Sequence, residues 1–94
     1  MPEGLHLIEF FEAADASNEA LSAYFESRKQ TALPGKLTYL INRIGRLAPD
    51  PGGMALWTFA DYVSAEAFIR AKPSQGPARI VTAGLYRNFG EEIP

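Results

Sequence analysis

The chain has 94 residues, of which 47% are hydrophobic, so residues 1–94 make one domain with a core of their own. Nine Lys and Arg against eleven Asp and Glu give a net charge of −2 with no run of like charge, which argues against nucleic acid and anionic membrane as partners. No cysteine is present, so disulfides, thiolate nucleophiles and cysteine-held metals are excluded.

The amino terminus, Met1-Pro2-Glu3-Gly4, carries no positive segment of the kind that opens a signal peptide, and His6 and Glu9 interrupt the apolar run behind it. A cytoplasmic protein is the expectation. Leu5 to Glu12 (LHLIEFFE) has strand length and is rich in aromatic and branched residues. Ser17 or Asp15 then offers an oxygen to the free amides of a helix start, and Glu19 falls in the first turn, where the helix dipole favours a carboxylate. Leu21, Tyr24, Phe25 and Arg28 follow at helical spacing along one side, and Leu33-Pro34-Gly35 ends the helix.

Lys36 to Leu47 (KLTYLINRIGRL) reads as the second strand. Leu37, Tyr39, Ile41 and Arg43 fall on one side and Thr38, Leu40, Asn42 and Ile44 on the other, with Gly45 a candidate bulge. Ala48 to Gly53 is built of turn residues, short enough to join antiparallel neighbours. Met54 to Ala60 reads as the third strand; Asp61 or Ser64 caps a second helix that runs to Arg70. Proline and glycine at Lys72-Pro73 to Gly76-Pro77 punctuate again, Arg79 to Phe89 is the fourth strand, and Gly90 to Pro94 is a polar tail.

The order is βαββαβ, an α+β chain. Right-handed crossovers and a hairpin that sets the third strand beside the first predict a ferredoxin-like, four-stranded antiparallel sheet of order 4-1-3-2 with two helices on one face. Two helices cover only one face of such a sheet, yet the strands are apolar on both sides. Leu5, Leu7 and Phe11 oppose Ile8 and Phe10 in the first strand; Met54 and Leu56 oppose Trp57 and Phe59 in the third; Ile80 and Tyr86 oppose Val81, Ala83 and Leu85 in the fourth. An uncovered face of that kind exceeds what a monomer usually exposes, so a homodimer closed face to face is expected.

This pattern, with the third strand running into the second helix as ALWTFADYVSAEAF, resembles the dimeric α/β-barrel superfamily, over essentially the whole chain. Within it, His6-Leu7-Ile8 at the start of the first strand is similar to the stress-responsive A/B-barrel group, which includes a plant polyketide cyclase. The resemblance implies a paired-sheet barrel and a pocket between the sheet and the first helix for a small, partly aromatic molecule. It places His6 in that cavity as the base, and Tyr24 and Phe25 at the aromatic positions that line it. Cofactor-independent cyclases, isomerases and monooxygenases all occur on such barrels. The cyclase also uses a tyrosine and a second histidine around the second helix; the matching stretch here, AFIRAKPSQG, has Phe68 and no histidine.

Read from the residues themselves, a general base working near neutral pH is either His6 or a carboxylate raised by burial, with Glu9 the nearest in sequence. Their odd spacing puts the two on opposite faces of the strand. The pocket predicted beneath the first helix draws on Ile8, Phe10, Tyr24, Phe25, Arg28, Phe68 and Tyr86, with Arg28 and Arg43 each able to grip a ligand carboxylate by a bidentate fork. One histidine makes neither a haem nor a zinc centre, and Glu9 and Glu12 have no ligand spacing with it, so no metal or cofactor is implied. The same side chains have ordinary uses: aromatics at strand and helix spacing usually build core or interface, and arginines usually meet solvent or a neighbouring charge. A non-catalytic dimeric module that binds a small ligand or supports an assembly is the alternative.

Overall fold

The computed structural model describes residues 4–13, 17–42, 52–71 and 76–87. Its elements run β1 (Leu5–Glu12), α1 (Asn18–Ala32), β2 (Lys36–Asn42), β3 (Gly53–Phe59), α2 (Tyr62–Arg70) and β4 (Arg79–Arg87). All three strand pairings are antiparallel, in the order β2-β3-β1-β4, which from the other edge is β4-β1-β3-β2.

Local chemistry sets the helix starts. Ser17 is extended and its hydroxyl accepts from the amide of Ala20 at 3.1 Å, so Ser17 caps α1; Asp15 lies outside the described residues. Asp61, also extended, accepts from the amide of Ser64 at 2.8 Å, so of the two candidates at α2 it is Asp61 that caps. That bond, backed by the Ser64 hydroxyl, holds the Asp61 carboxyl below its ordinary value. Before β3 the chain turns through Gly52 at φ 94°, a backbone region that side chains other than glycine rarely enter. Arg43 to Leu47, Gly45 among them, Ala48 to Pro51, Lys72 to Gln75, Asn88-Phe89 and the tail lie outside the described residues.

Both helices pack on one face of the sheet. Leu7 and Phe11 of β1 and Ala55, Trp57 and Phe59 of β3 form a single buried cluster with Leu21, Tyr24, Phe25 and Ala32 of α1 and Ala65 and Phe68 of α2. Trp57 and Phe11 are fully buried there. The aromatic rings meet at tilted or edge-on angles, with Trp57 and Phe68 at 4.6 Å between centroids and Phe11 and Phe25 at 5.2 Å, an arrangement that adds to the area they bury.

The alternation expected in β2 and β4 is overturned by a bulge in each. Leu37 pairs with Trp57, but the next residue in register, opposite Leu56, is Tyr39, so Thr38 is an extra residue. Leu37 therefore lies on the helix side, packed against the core, whereas Tyr39 and Ile41 share the other face with Leu56 and Met54. In β4, Val81 is the extra residue between Ile80, which pairs with Phe11, and Thr82, which pairs with Phe10. Ile80 and Tyr86, expected on one side, consequently lie on opposite faces.

Candidate functional site

Beneath α1, where a ligand pocket was expected, the structure places a buried ion pair. Glu9 stands in β1 between Leu7 and Phe11, on the helix face, with 4% of its surface exposed; Arg28 projects from the inner side of α1 with 7% exposed. Both Arg28 terminal nitrogens donate to the Glu9 carboxylate, Nη1 to Oε1 at 2.6 Å and Nη2 to Oε2 at 2.9 Å, and the Trp57 indole N–H donates to Oε1 at 2.9 Å. The bidentate fork read as a grip for a ligand carboxylate is thus taken by the chain's own carboxylate.

Four rings surround the guanidinium, with its central carbon 4.9 Å from the centroid of Phe68, 5.0 Å from Trp57 and 5.9 Å from both Tyr24 and Phe25. A planar, weakly hydrated cation stacked on aromatic faces is the form of charge such a core tolerates. The Tyr24 hydroxyl is buried and has no hydrogen-bond partner among the described residues. Burial pushes this phenol above its ordinary value; Arg28 pulls the other way and Glu9 adds to the rise.

The residues predicted for one pocket divide between the two faces. Tyr24, Phe25, Arg28 and Phe68 lie on the helix side. His6, Ile8 and Phe10 share one face, as their even spacing requires, but it faces away from the helices, and Tyr86 lies beside His6 there. They cannot line one pocket together, because the sheet separates the two groups. Arg43 lies outside the described residues.

The open face has its own organisation. Ile8 and Phe10 of β1, Met54 and Leu56 of β3 and Tyr39 and Ile41 of β2 form an apolar field, with Phe10, Tyr39 and Ile41 exposed. At one end stands a polar row. His6 Nδ1 and Thr58 Oγ1 are 3.1 Å apart, and Thr58 Oγ1 and Thr38 Oγ1 are 2.6 Å apart. The hydroxyls can pass donor and acceptor roles along the row, so either imidazole tautomer is accommodated. Tyr86 extends back along its strand over Gly84, where a Cβ would come 2.9 Å from the phenol oxygen. The opposite end is closed by an exposed ion pair, Arg79 Nη2 donating to Glu12 Oε2 at 2.5 Å.

Thr58, Thr38 and the donation of the Trp57 indole N–H to Glu9 are the contributions that sequence reasoning missed. Thr38, the extra residue of the β2 bulge, meets Thr58 across the strand pair, a contact that spacing within one strand does not reveal.

No known protein family, no curated protein and no solved structure matches this chain. Function therefore rests on the two faces of the sheet. Among the described residues no three His, Asp or Glu side chains gather in a way that would hold a metal ion, and no helix is long and apolar enough to cross a membrane.

Proposed function

We propose that the chain is a homodimer-forming module: a ferredoxin-like half of a dimeric α/β barrel, whose open sheet face is closed by the same face of a second copy. The observation that carries this reading is the apolar field of Ile8, Phe10, Met54, Leu56, Tyr39 and Ile41 on the side of the sheet that neither helix covers. Four strands about 4.8 Å apart and about 26 Å long present roughly 500 Å² per copy, so two copies bury about 1,000 Å². That is the lower bound for a specific protein interface. The field is self-complementary in charge, since its centre carries none and its charged groups stand at the ends, at Lys36 and at Glu12 with Arg79. Two twisted sheets stack about 10 Å apart through interdigitating side chains of this kind.

The non-catalytic form of the module is favoured. His6 lies on the open face, across the sheet from α1 and the Glu9–Arg28 pair, and so does not line the space beneath α1 that a cyclase, isomerase or monooxygenase reading assigned to it. A small aromatic ligand, if the module carries one, belongs between the sheets, among Phe10, Tyr39 and Tyr86. Sedimentation equilibrium between about 1 and 100 micromolar tests the assembly: a dimer whose population rises with concentration is expected, and a monomer throughout refutes it.

A further inference from the structure

We infer that the dimer proposed above, on which this inference rests, is opened by acid through protonation of His6. Among the described residues, no anion stands beside the His6 imidazole. His6 is half-buried on the open face and bonded through Nδ1 to a hydroxyl, Thr58, which is itself bonded to a second hydroxyl, Thr38. From β4 the facing residue is Tyr86, from β3 Thr58, and from β2 Thr38 and the cation Lys36, which pairs with Thr58. Glu9, one strand position beyond Ile8, points through the sheet to Arg28. Among the described residues the carboxylate on the same face is Glu12, three residues past Glu9 at the far end, and it is held by Arg79.

In an open monomer an imidazolium at this place is hydrated. Closing a second sheet over it removes that water and supplies, from an identical face, more hydroxyls, apolar side chains and a lysine, the Glu12 carboxylate of that face being already bonded to Arg79. A buried cation without a counter-charge is disfavoured, so the closed state selects the neutral imidazole. The sign follows from proton counting. Below the ordinary imidazole range each subunit must release a proton to close, two per dimer, so dissociation rises as pH falls. With two protons released per dimer, the dimer dissociation constant rises with acidity across the range in which histidines titrate, on the order of 100-fold between pH 7.5 and pH 5.5.

The test is sedimentation equilibrium of the full chain at pH 7.5 and 5.5, for the wild type and His6→Gln, whose amide keeps a hydrogen bond to Thr58 and does not titrate. The expected result is a dissociation constant that rises on the order of 100-fold for the wild type and stays constant for His6→Gln. A wild-type dimer equally tight at both values, or tighter in acid because the second copy brings its Glu12 over His6, overturns the inference and leaves the dimer standing. Equal weakening of both proteins also overturns it, since the titrating group is then another. A monomer at both pH values overturns the dimer itself. Should His6→Gln fail to fold, proton NMR of the wild type decides: with one histidine in the chain there is one imidazole C2 resonance to follow. Its titration midpoint should fall as protein concentration rises, and a midpoint independent of concentration refutes the switch.

Discussion

Replacing Glu9 by Gln tests how the core is held. The substitution is nearly isosteric, but it removes the charge that faces Arg28, and the amide nitrogen it introduces must oppose a donor, either an Arg28 nitrogen or the Trp57 indole, where an oxygen accepted before. Arg28 is 7% exposed and ringed by Tyr24, Phe25, Trp57 and Phe68, so its charge has no route to water without moving α1. Breaking a buried pair from one side costs about 3–5 kcal/mol. A domain of this length is stable by about 5–14 kcal/mol in all, and each kcal/mol lowers Tm by roughly 4–8 °C, so Glu9→Gln should lose about 12 °C or more. Urea unfolding at one fixed protein concentration, followed by the fluorescence of the single tryptophan, reads the change at the site itself. The double variant Glu9→Leu with Arg28→Met removes both charges and leaves mainly the Trp57 N–H without its acceptor, a cost of about 1–3 kcal/mol. It should be more stable than Glu9→Gln alone. Glu9→Gln, Glu9→Leu or Arg28→Met alone within about 0.5 kcal/mol of wild type, the size of an ordinary surface change, or a double whose cost is the sum of Glu9→Leu and Arg28→Met, would refute the account of a buried, mutually dependent pair.

Leu56→Glu and Trp57→Glu, adjacent in β3 but on opposite faces, should separate assembly from folding. The first is expected to give a folded monomer by sedimentation with an unchanged circular dichroism spectrum, the second an unfolded or aggregated chain; a dimer from Leu56→Glu would show that the open face is not the interface. Asp61→Ala removes the cap of α2 and should lower Tm at neutral pH. Because the folded state holds this carboxyl below its ordinary value, its contribution is complete above that value and fades as pH falls through the lower, folded one, so the difference between wild type and Asp61→Ala should shrink in acid. A difference that stays constant down to pH 2 argues against the cap.

Element order was legible, and each helix cap was legible to within two candidates, Ser17 or Asp15 and Asp61 or Ser64, because these rest on local signals ahead of helical spacing, with proline and glycine behind it. The face of each central strand was legible too, since strict alternation carries through Leu7, Glu9 and Phe11 and through Ala55, Trp57 and Phe59. Which face the helices take was not, because both are apolar, and the choice was made by the buried pair. Its two halves were each visible as an exception, Glu9 on an apolar strand stripe and Arg28 on the apolar stripe of α1 with Leu21, Tyr24 and Phe25. Only their combination says that the two stripes meet, and a charge on each of two faces that must both be buried is the signal that would have found it. The bulges at Thr38 and Val81 depend on strand pairing across the sheet and could not be located from spacing within one strand; glycine drew attention to position 45 instead.

Both of those extra residues fall in the outer strands, β2 and β4. A regular outer strand presents an unbroken row of amides and carbonyls that any extended chain can zip onto, and sheets that grow sideways in this way become fibrils. An added residue throws the row out of step and twists the strand where it occurs. The two bulges thus hinder lateral growth, and on the dimer proposed above the broad apolar surface in the perpendicular direction would be used up by one second copy. Deleting Thr38 or Val81 would restore the regular row, at the risk of an open-ended polymer.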